Sequence, residues 1–329
     1  MARAVYHLAM TVLLTGSSGW LGRHVAPRLR ERGDAVIGLD PAPGEWTTHA
    51  GSVADRDLIA RLFSEHAITG VIHAGALHKP DIARYPQRDF IDVNVTGTLN
   101  LLEEAADRHI PFVFTSTTSL MISQAIRDET SEAAVWLDET HGPLAPRNIY
   151  GVTKLAAEGL CRQHHLDRGL NAVVLRTSRF FPEDDDTDRA LSGPNMKMNE
   201  LLNRRASVAD MARAHLAALD AAPQIGFGLF VVSAPTPFTR HDRVKLKQNA
   251  PMVVRGYFPE VSRLYAQQGW TLPRTLGRVY DGSRITRELG FEYETDFASA
   301  LDAVMRGQTL PLAHDAAYTS PLARAASHP

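Results

Sequence analysis

The sequence predicts an α/β protein, a doubly wound parallel sheet with helices on both faces and a smaller α/β part toward the C-terminus. Three observations predict it. Short runs rich in β-branched residues alternate with helix-period segments through the first half of the chain. The runs are apolar enough for strands covered on both faces, as parallel sheets require. Glycines at three-residue intervals stand between the first strand and the first helix.

Taken in order, "TVLLTG" (11–16) is the first strand, an amphipathic helix runs from Trp20 to Arg32, and "AVIGLD" (35–40) is the second strand. The helix pattern "DRDLIARLFSEH" (55–66) leads to the strand "GVIHAG" (70–75). The helix "DFIDVNVTGTLNLLEEAADRH" (89–109) leads to the strand "PFVFTS" (111–116). A helix beginning near Tyr150 precedes the strand "NAVVLRTS" (171–178). The rhythm then breaks into a polar stretch (182–205) with helix pattern only at its end. A helix at 207–222 and a strand at 228–234 return to the main body. The expected division is therefore a main body, 1–178 with 207–234, and a second part, 179–206 with 235–312. A partly disordered tail, 313–329, follows.

Composition narrows the function. With 329 residues, 44% hydrophobic and 22% charged, the chain has an ample core for one large or two modest domains. A formal net charge of −2 and no run of Lys and Arg argue against nucleic acid or an anionic membrane as partner. No window approaches the ~20 apolar residues of a membrane span. The N-terminal apolar stretch lacks a cleavage site and runs straight into the glycine loop. A single cysteine, Cys161, forbids an internal disulfide. A cytoplasmic protein is expected. No metal is called for.

"TGSSGWLG" places Gly16, Gly19 and Gly22 where a dinucleotide needs them: one for a tight turn, one for close approach of a pyrophosphate, one for helix–strand packing. The pyrophosphate would rest on the helix N-terminus. Asp40 closes the second strand, where its carboxylate can accept from both ribose hydroxyls and would repel a 2′-phosphate. No Arg or Lys follows in "PAPG", so NAD is favoured over NADP. "YGVTK" puts Tyr150 and Lys154 on one helix face. A phenol titrates near pH 10 and is a poor base at neutral pH, and a nearby ammonium would lower that value. Tyr150 could then take a proton from a substrate hydroxyl, with a third hydroxyl from "FVFTSTTS" orienting the substrate oxygen.

"TGSSGWLG", "NVTGTLNLLEEA", "VFTSTTS" and "YGVTKLAAE" together resemble the extended short-chain dehydrogenase/reductase family, the NAD-dependent epimerase/dehydratase group, from about residue 10 to about 220. The resemblance implies a Rossmann domain, a small C-terminal substrate domain and a Ser/Thr–Tyr–Lys set. By position, Thr117 is the catalytic hydroxyl, Tyr150 the base and Lys154 its activator. Gly16, Ser18, Gly19, Trp20, Leu21, Gly22, Asp40, His73, Ala74, Gly75, Ala76 and Asn94 fall on cofactor-lining or scaffold positions. Ser52, Val53 and Thr115 join them on the cofactor side. Ser52 stands where many relatives carry an Asp for the adenine amino group. His78 stands where UDP-sugar 4-epimerases have a lysine, with Lys79 as its substitute. Cys161 is expected in the core, and His164 and His165 on the surface.

Thr118 and Ser119 occupy the positions of the Asp–Glu pair that sugar dehydratases use, which disfavours loss of water. The stretch "LRTSRFFPEDDDTDR" is similar to uronate dehydrogenases, in which an Arg meets the substrate carboxylate. Arg189 is the nearest positional match to that Arg, and Arg179 stands where nucleotide-sugar epimerases have an Asn. His78, Thr118, Ser119, Ser178, Arg179 and Arg189 are the residues expected on the substrate side. Three readings stay open: an NAD-dependent dehydrogenase of a sugar, sugar acid or polyol; a (nucleotide-)sugar 4-epimerase with a transient keto intermediate; and an inactive NAD-sensing protein. The helices at 89–109 and 150–168 are expected to pair into a four-helix bundle in a homodimer.

Overall fold

A computed structural model describes residues 8–183 and 191–321. The main sheet is built from β1 (Thr11–Thr15), β2 (Ala35–Asp40), β3 (His49–Ala50), β4 (Gly70–His73), β5 (Phe112–Thr117), β7 (Ala172–Thr177) and β8 (Phe227–Val232), in the order β3-β2-β1-β4-β5-β7-β8. Every neighbouring pair is parallel. The chain winds outward from β1 through β2 to β3, then crosses to β4 and winds the other way. The order reverses between β1 and β4, which opens a crevice at the strands' carboxyl ends.

Strand periodicity distributes the core. Val12 and Leu14 face a layer that includes Val25, Leu29, Met211 and Leu219 from the helices Gly22–Glu31 and Val208–Ile225. Leu13 points the other way, toward Ile59, Leu62, Leu101 and Ala157 from the helices Arg56–Glu65, Gly97–Asp107 and Ile149–Arg168. Both faces are dry, so the strands are apolar throughout.

The helix ends are written in the sequence. Asp55 caps Arg56–Glu65 by accepting from Leu58 N at 2.9 Å, and Asn148 caps Ile149–Arg168 by accepting from Gly151 N at 3.0 Å. Gly169 ends the latter helix with φ 66°.

Four features depart from the sequence reading. The helix expected at 89–109 starts at Gln87 and is interrupted by a π-turn, Asp92–Thr96. A second, two-stranded parallel sheet pairs β6 (Val135–Leu137) with β9 (Arg278–Tyr280), so the C-terminal part borrows a strand from within 1–178. His164 is buried, its Nδ1 2.9 Å from Leu160 O, because it faces the sheet rather than solvent. The tail packs as far as 321: Asp315 N donates to Pro182 O at 2.9 Å, and the Tyr318 ring meets the Trp20 ring edge-on at 5.4 Å. Among the described residues, no helix is long and apolar enough to cross a membrane.

Candidate active site

A cavity of about 800 Å³ lies at the carboxyl ends of the strands, where the winding reverses. Its walls include Gly16, Gly19, Trp20, Leu21, Gly22, Asp40, Ser52, Val53, Ala74, Gly75 and Ala76. Gly16 has φ 72°, and a Cβ there would lie 2.7 Å from Gly75 N. A Cβ on Gly22 would lie 2.1 Å from Gly16 O, so only glycine lets the helix start against the loop. Asp40 is held ready: Oδ1 accepts from Ala42 N at 2.8 Å and Oδ2 from Ser18 N at 3.1 Å. Burial raises its pKa, and those two N–H groups pull it back. The glycine cradle with a buried acid at the end of β2 fits a dinucleotide.

Three residues placed by the sequence in the cofactor group lie beneath the cavity wall. Ser18 Oγ donates to Ala42 O at 2.9 Å and lies 2.6 Å from Thr47 Oγ1, which shapes the loop after β2. His73 bridges Thr15 Oγ1 at 2.6 Å and Thr98 Oγ1 at 3.0 Å. Burial, with Lys154 adding, holds its pKa well below the usual imidazole value. Asn94, in the π-turn, accepts from Leu77 N at 2.8 Å, and its amide donates to Leu77 O at 3.0 Å and Thr153 Oγ1 at 3.1 Å. It ties the segment after β4 to the Tyr150 helix.

The five hydroxyls at the end of β5 divide by partner. Thr115 Oγ1 is 2.9 Å from His215 Nε2, while Thr115 O accepts from Lys154 Nζ at 2.8 Å. Ser116 Oγ donates to Glu158 Oε1 at 2.6 Å. Thr117 Oγ1 accepts from Ser119 N at 3.1 Å, and Thr118 Oγ1 donates to Thr177 O at 3.3 Å. Thr115 through Ser119 all border the cavity, as do Tyr150, Lys154, His78, Ser178 and Arg179. Arg189 lies outside the described residues.

The electrostatics correct one expectation. Lys154 is buried, its ammonium 4.6 Å from the Phe114 ring centroid, and burial pushes its pKa down to about 7 against the pull of Cys161 and Glu158. Burial also pushes Tyr150 up to about 12, with a Thr117 hydrogen bond working the other way. Desolvation sets the direction, so the phenol is raised rather than lowered as the sequence reading expects. His78, its ring 5.8 Å from that of Tyr150, is pushed to about 4 by burial and by Lys154, with Asp81 opposing. It is neutral at pH 7.

Sequence reasoning missed a group of arginines. Arg127, Arg147, Arg204 and Arg278 line the cavity beside Arg179. Glu200 gathers three arginines, with Arg179 at 3.0 Å, Arg204 at 3.1 Å and Arg205 at 2.7 Å, and its carboxyl is held below the usual range by Arg205, Arg204 and Arg179 against its burial. Ser178 Oγ and Arg278 Nε are buried there with no hydrogen-bond partner among the described residues. The tail segment Tyr318–Pro321, also missed, forms a further wall. No local spacing marks these residues, because they come from distant segments.

A doubly wound sheet with a glycine cradle at its switch point, and a Thr–Tyr–Lys group on the same cavity, defines a nucleotide-dependent enzyme of the Rossmann type. The chain belongs to the NAD dependent epimerase/dehydratase family, whose model matches residues 12–227, and NAD is the cofactor of that family. A UDP-glucose 4-epimerase of Halalkalibacterium halodurans is 29% identical over 174 residues, 51% of this chain and 50% of that protein. The chain spans about half the length of curated relatives of this kind. A short-chain dehydrogenase/reductase superfamily protein of Agrobacterium tumefaciens, crystallised with bound NAD, matches with TM-score 0.63 and 25% identity over 90% of this chain and 97% of that one. A UDP-glucose 4-epimerase of Thermotoga maritima, crystallised with UDP-glucose, matches with TM-score 0.62 and 20% identity over 90% and 98%.

Proposed function

We propose that this protein transfers hydride between NAD and a secondary hydroxyl of an anionic sugar, with Tyr150 moving the hydroxyl proton. The observation that carries the reading is the one cavity bordered by both the glycine cradle and Thr117, Tyr150 and Lys154. When bound, NAD supplies the hydride acceptor. Gly16 to Gly22 would hold its pyrophosphate, and Asp40 its adenosine ribose. Thr117 Oγ1 orients the substrate oxygen. Tyr150 Oη takes its proton as the carbon loses hydride, leaving a carbonyl, and returns the proton in the reverse direction. Lys154, fixed on Thr115 O, supplies positive charge beside the phenolate that forms. Burial keeps the Tyr150 phenol protonated at neutral pH, so its proton must leave before it can accept one from a substrate hydroxyl. Oxidation should speed up as pH rises.

The arginines give the substrate its charge. Arg179, Arg204 and Arg278 line the cavity beside Ser178, and a carboxylate or diphosphate bound there would meet their guanidinium groups. With Thr118 and Ser119 in place of an acid–base pair, water loss is not supported. A 4-epimerase is the second reading, favoured by the named relatives and by the tail wall beside the glycine loop, which would retain the cofactor between half-reactions. An inactive sensor is disfavoured by the intact Thr117, Tyr150 and Lys154.

The test is an NAD-reduction screen against uronates, aldoses, polyols and nucleotide sugars. NADH from a sugar acid, reduced about 10²–10⁴-fold in Tyr150→Phe with the fold unchanged, is the expected result. Interconversion of a nucleotide sugar without net NADH would select the second reading, and full activity in Tyr150→Phe would overturn the mechanism. A homodimer is proposed on Ile91 and Val152, which expose apolar side chains on the helices Gln87–Ile91 and Ile149–Arg168. Light scattering at micromolar concentration should give twice the chain mass, and a monomer would refute it.

A further inference from the structure

The fold assembles a histidine cluster at the sheet edge that the cofactor reading does not use. His49 in β3, with Glu65 and His66 at the end of the helix Arg56–Glu65, offers three ligand atoms that all lie within 4.8 Å of one another. The two imidazoles bring their Nε2 atoms to 3.3 Å, with ring planes at 75°. A tetrahedral zinc ion with Zn–N bonds of about 2.0–2.1 Å spaces two nitrogens by about 3.3 Å, so the pair already has the length of a coordination-tetrahedron edge.

The surroundings select the tautomer a ligand needs. Thr48 Oγ1 donates to Gly38 O at 3.2 Å and accepts from Gly38 N at 3.0 Å. With its proton committed, it accepts from His49 Nδ1 at 2.9 Å. That leaves the Nε2 lone pair of His49 facing His66 and Glu65, the outer-shell arrangement typical of metal-bound histidine.

We propose that His49, Glu65 and His66 bind a divalent transition-metal ion, with zinc the best match to two imidazoles and one carboxylate in tetrahedral geometry. Water fills the fourth position on this exposed face, and the site is structural. It closes the chain from 49 to 66 at a weak point. β3 is only two residues long, paired as His49↔Leu39 and Ala50↔Asp40, and the chain runs from it directly into Gly51, Ser52 and Val53 of the cavity wall. An ion there braces that wall, so metal and NAD should bind with positive coupling in both directions.

The test uses the full chain, free of affinity tags, stripped with EDTA and titrated with ZnCl₂ by calorimetry. The expected result is one ion per chain at micromolar affinity or tighter, weakened at least about tenfold in His49→Gln and in His66→Gln. Thermal midpoints of both variants in EDTA should equal that of the parent. Glu65→Gln, at an exposed position, gives a second measurement that does not risk the fold and should weaken zinc several-fold. NAD titrated by fluorescence should bind more tightly with zinc present in the parent and not in the histidine variants. Absence of saturable zinc binding, or affinity equal to the parent's in all three variants, would overturn the site and leave a plain His49–His66 hydrogen bond. Unchanged NAD affinity in zinc-loaded protein would overturn the coupling.

Discussion

Lys154 is an ammonium held in the interior by one carbonyl oxygen and one aromatic face. Its folded pKa, about 7, lies below the unfolded value, so between the two the unfolded chain binds more protons and stability rises with pH. Below the folded value both states are charged and the desolvation cost is fully present. Lys154→Met should therefore differ most from the parent at and below pH 7, and the difference should shrink as pH climbs toward the ordinary lysine value. Urea unfolding across that range checks it, and a difference independent of pH would contradict the assignment. That Tyr150 and Lys154 share one helix face was legible because four-residue spacing is a local feature, while the place of Thr117 beside them came from the family resemblance. The shift on Tyr150 was not, since desolvation depends on what packs over the ring, here Leu77 and Phe90. Arg204 and Arg278 were invisible for a related reason: only the fold brings them to Arg179.

At the scale of elements, Glu158 joins three of them. It sits one turn beyond Lys154 on the same helix, accepts from Ser116 of β5, and pairs with Arg176 of β7 through Nη2 at 2.7 Å and Nε at 3.0 Å. Both side chains are 5% exposed, so removing one partner strands a buried charge. Glu158→Gln should cost about 3–5 kcal/mol in urea unfolding, and Arg176→Met added to it should recover part of the loss. A loss under about 1 kcal/mol would mean that the pair is hydrated. The main strands were readable from apolar runs. β3, β6 and β9, of two or three residues each, were not, because tertiary pairing rather than propensity makes such short strands. The π-turn at Asn94 escaped too, since its side chain bonds a backbone segment seventeen residues away that only the fold brings near.

Across the whole molecule, the cavity is closed by residues from both ends of the described chain. Trp20 lies within the glycine loop, and Tyr318 lies against it, with the Arg23 guanidinium 5.8 Å from the Tyr318 ring centroid. Cutting the chain after residue 312 should leave the sheet and Tyr150 in place while NAD dissociates several-fold faster. Stopped-flow displacement of bound NAD measures this, and an unchanged rate would show that the tail is ornamental. The doubly wound class and its returning strand β8 were legible from rhythm alone. The tail was not, since a stretch without periodicity reads as disorder until its few anchoring contacts are seen.

The order of synthesis gives that tail a further meaning. Tyr318 is made about three hundred residues after Gly16. At roughly 5–20 residues per second, the first wall of the pocket waits on the ribosome for about 15 to 60 seconds before the last one exists. A nascent chain can therefore complete its sheet and present its glycine loop long before it can hold a nucleotide firmly. A premature stop in the final stretch would yield a folded protein with every candidate catalytic side chain and a leaking cofactor.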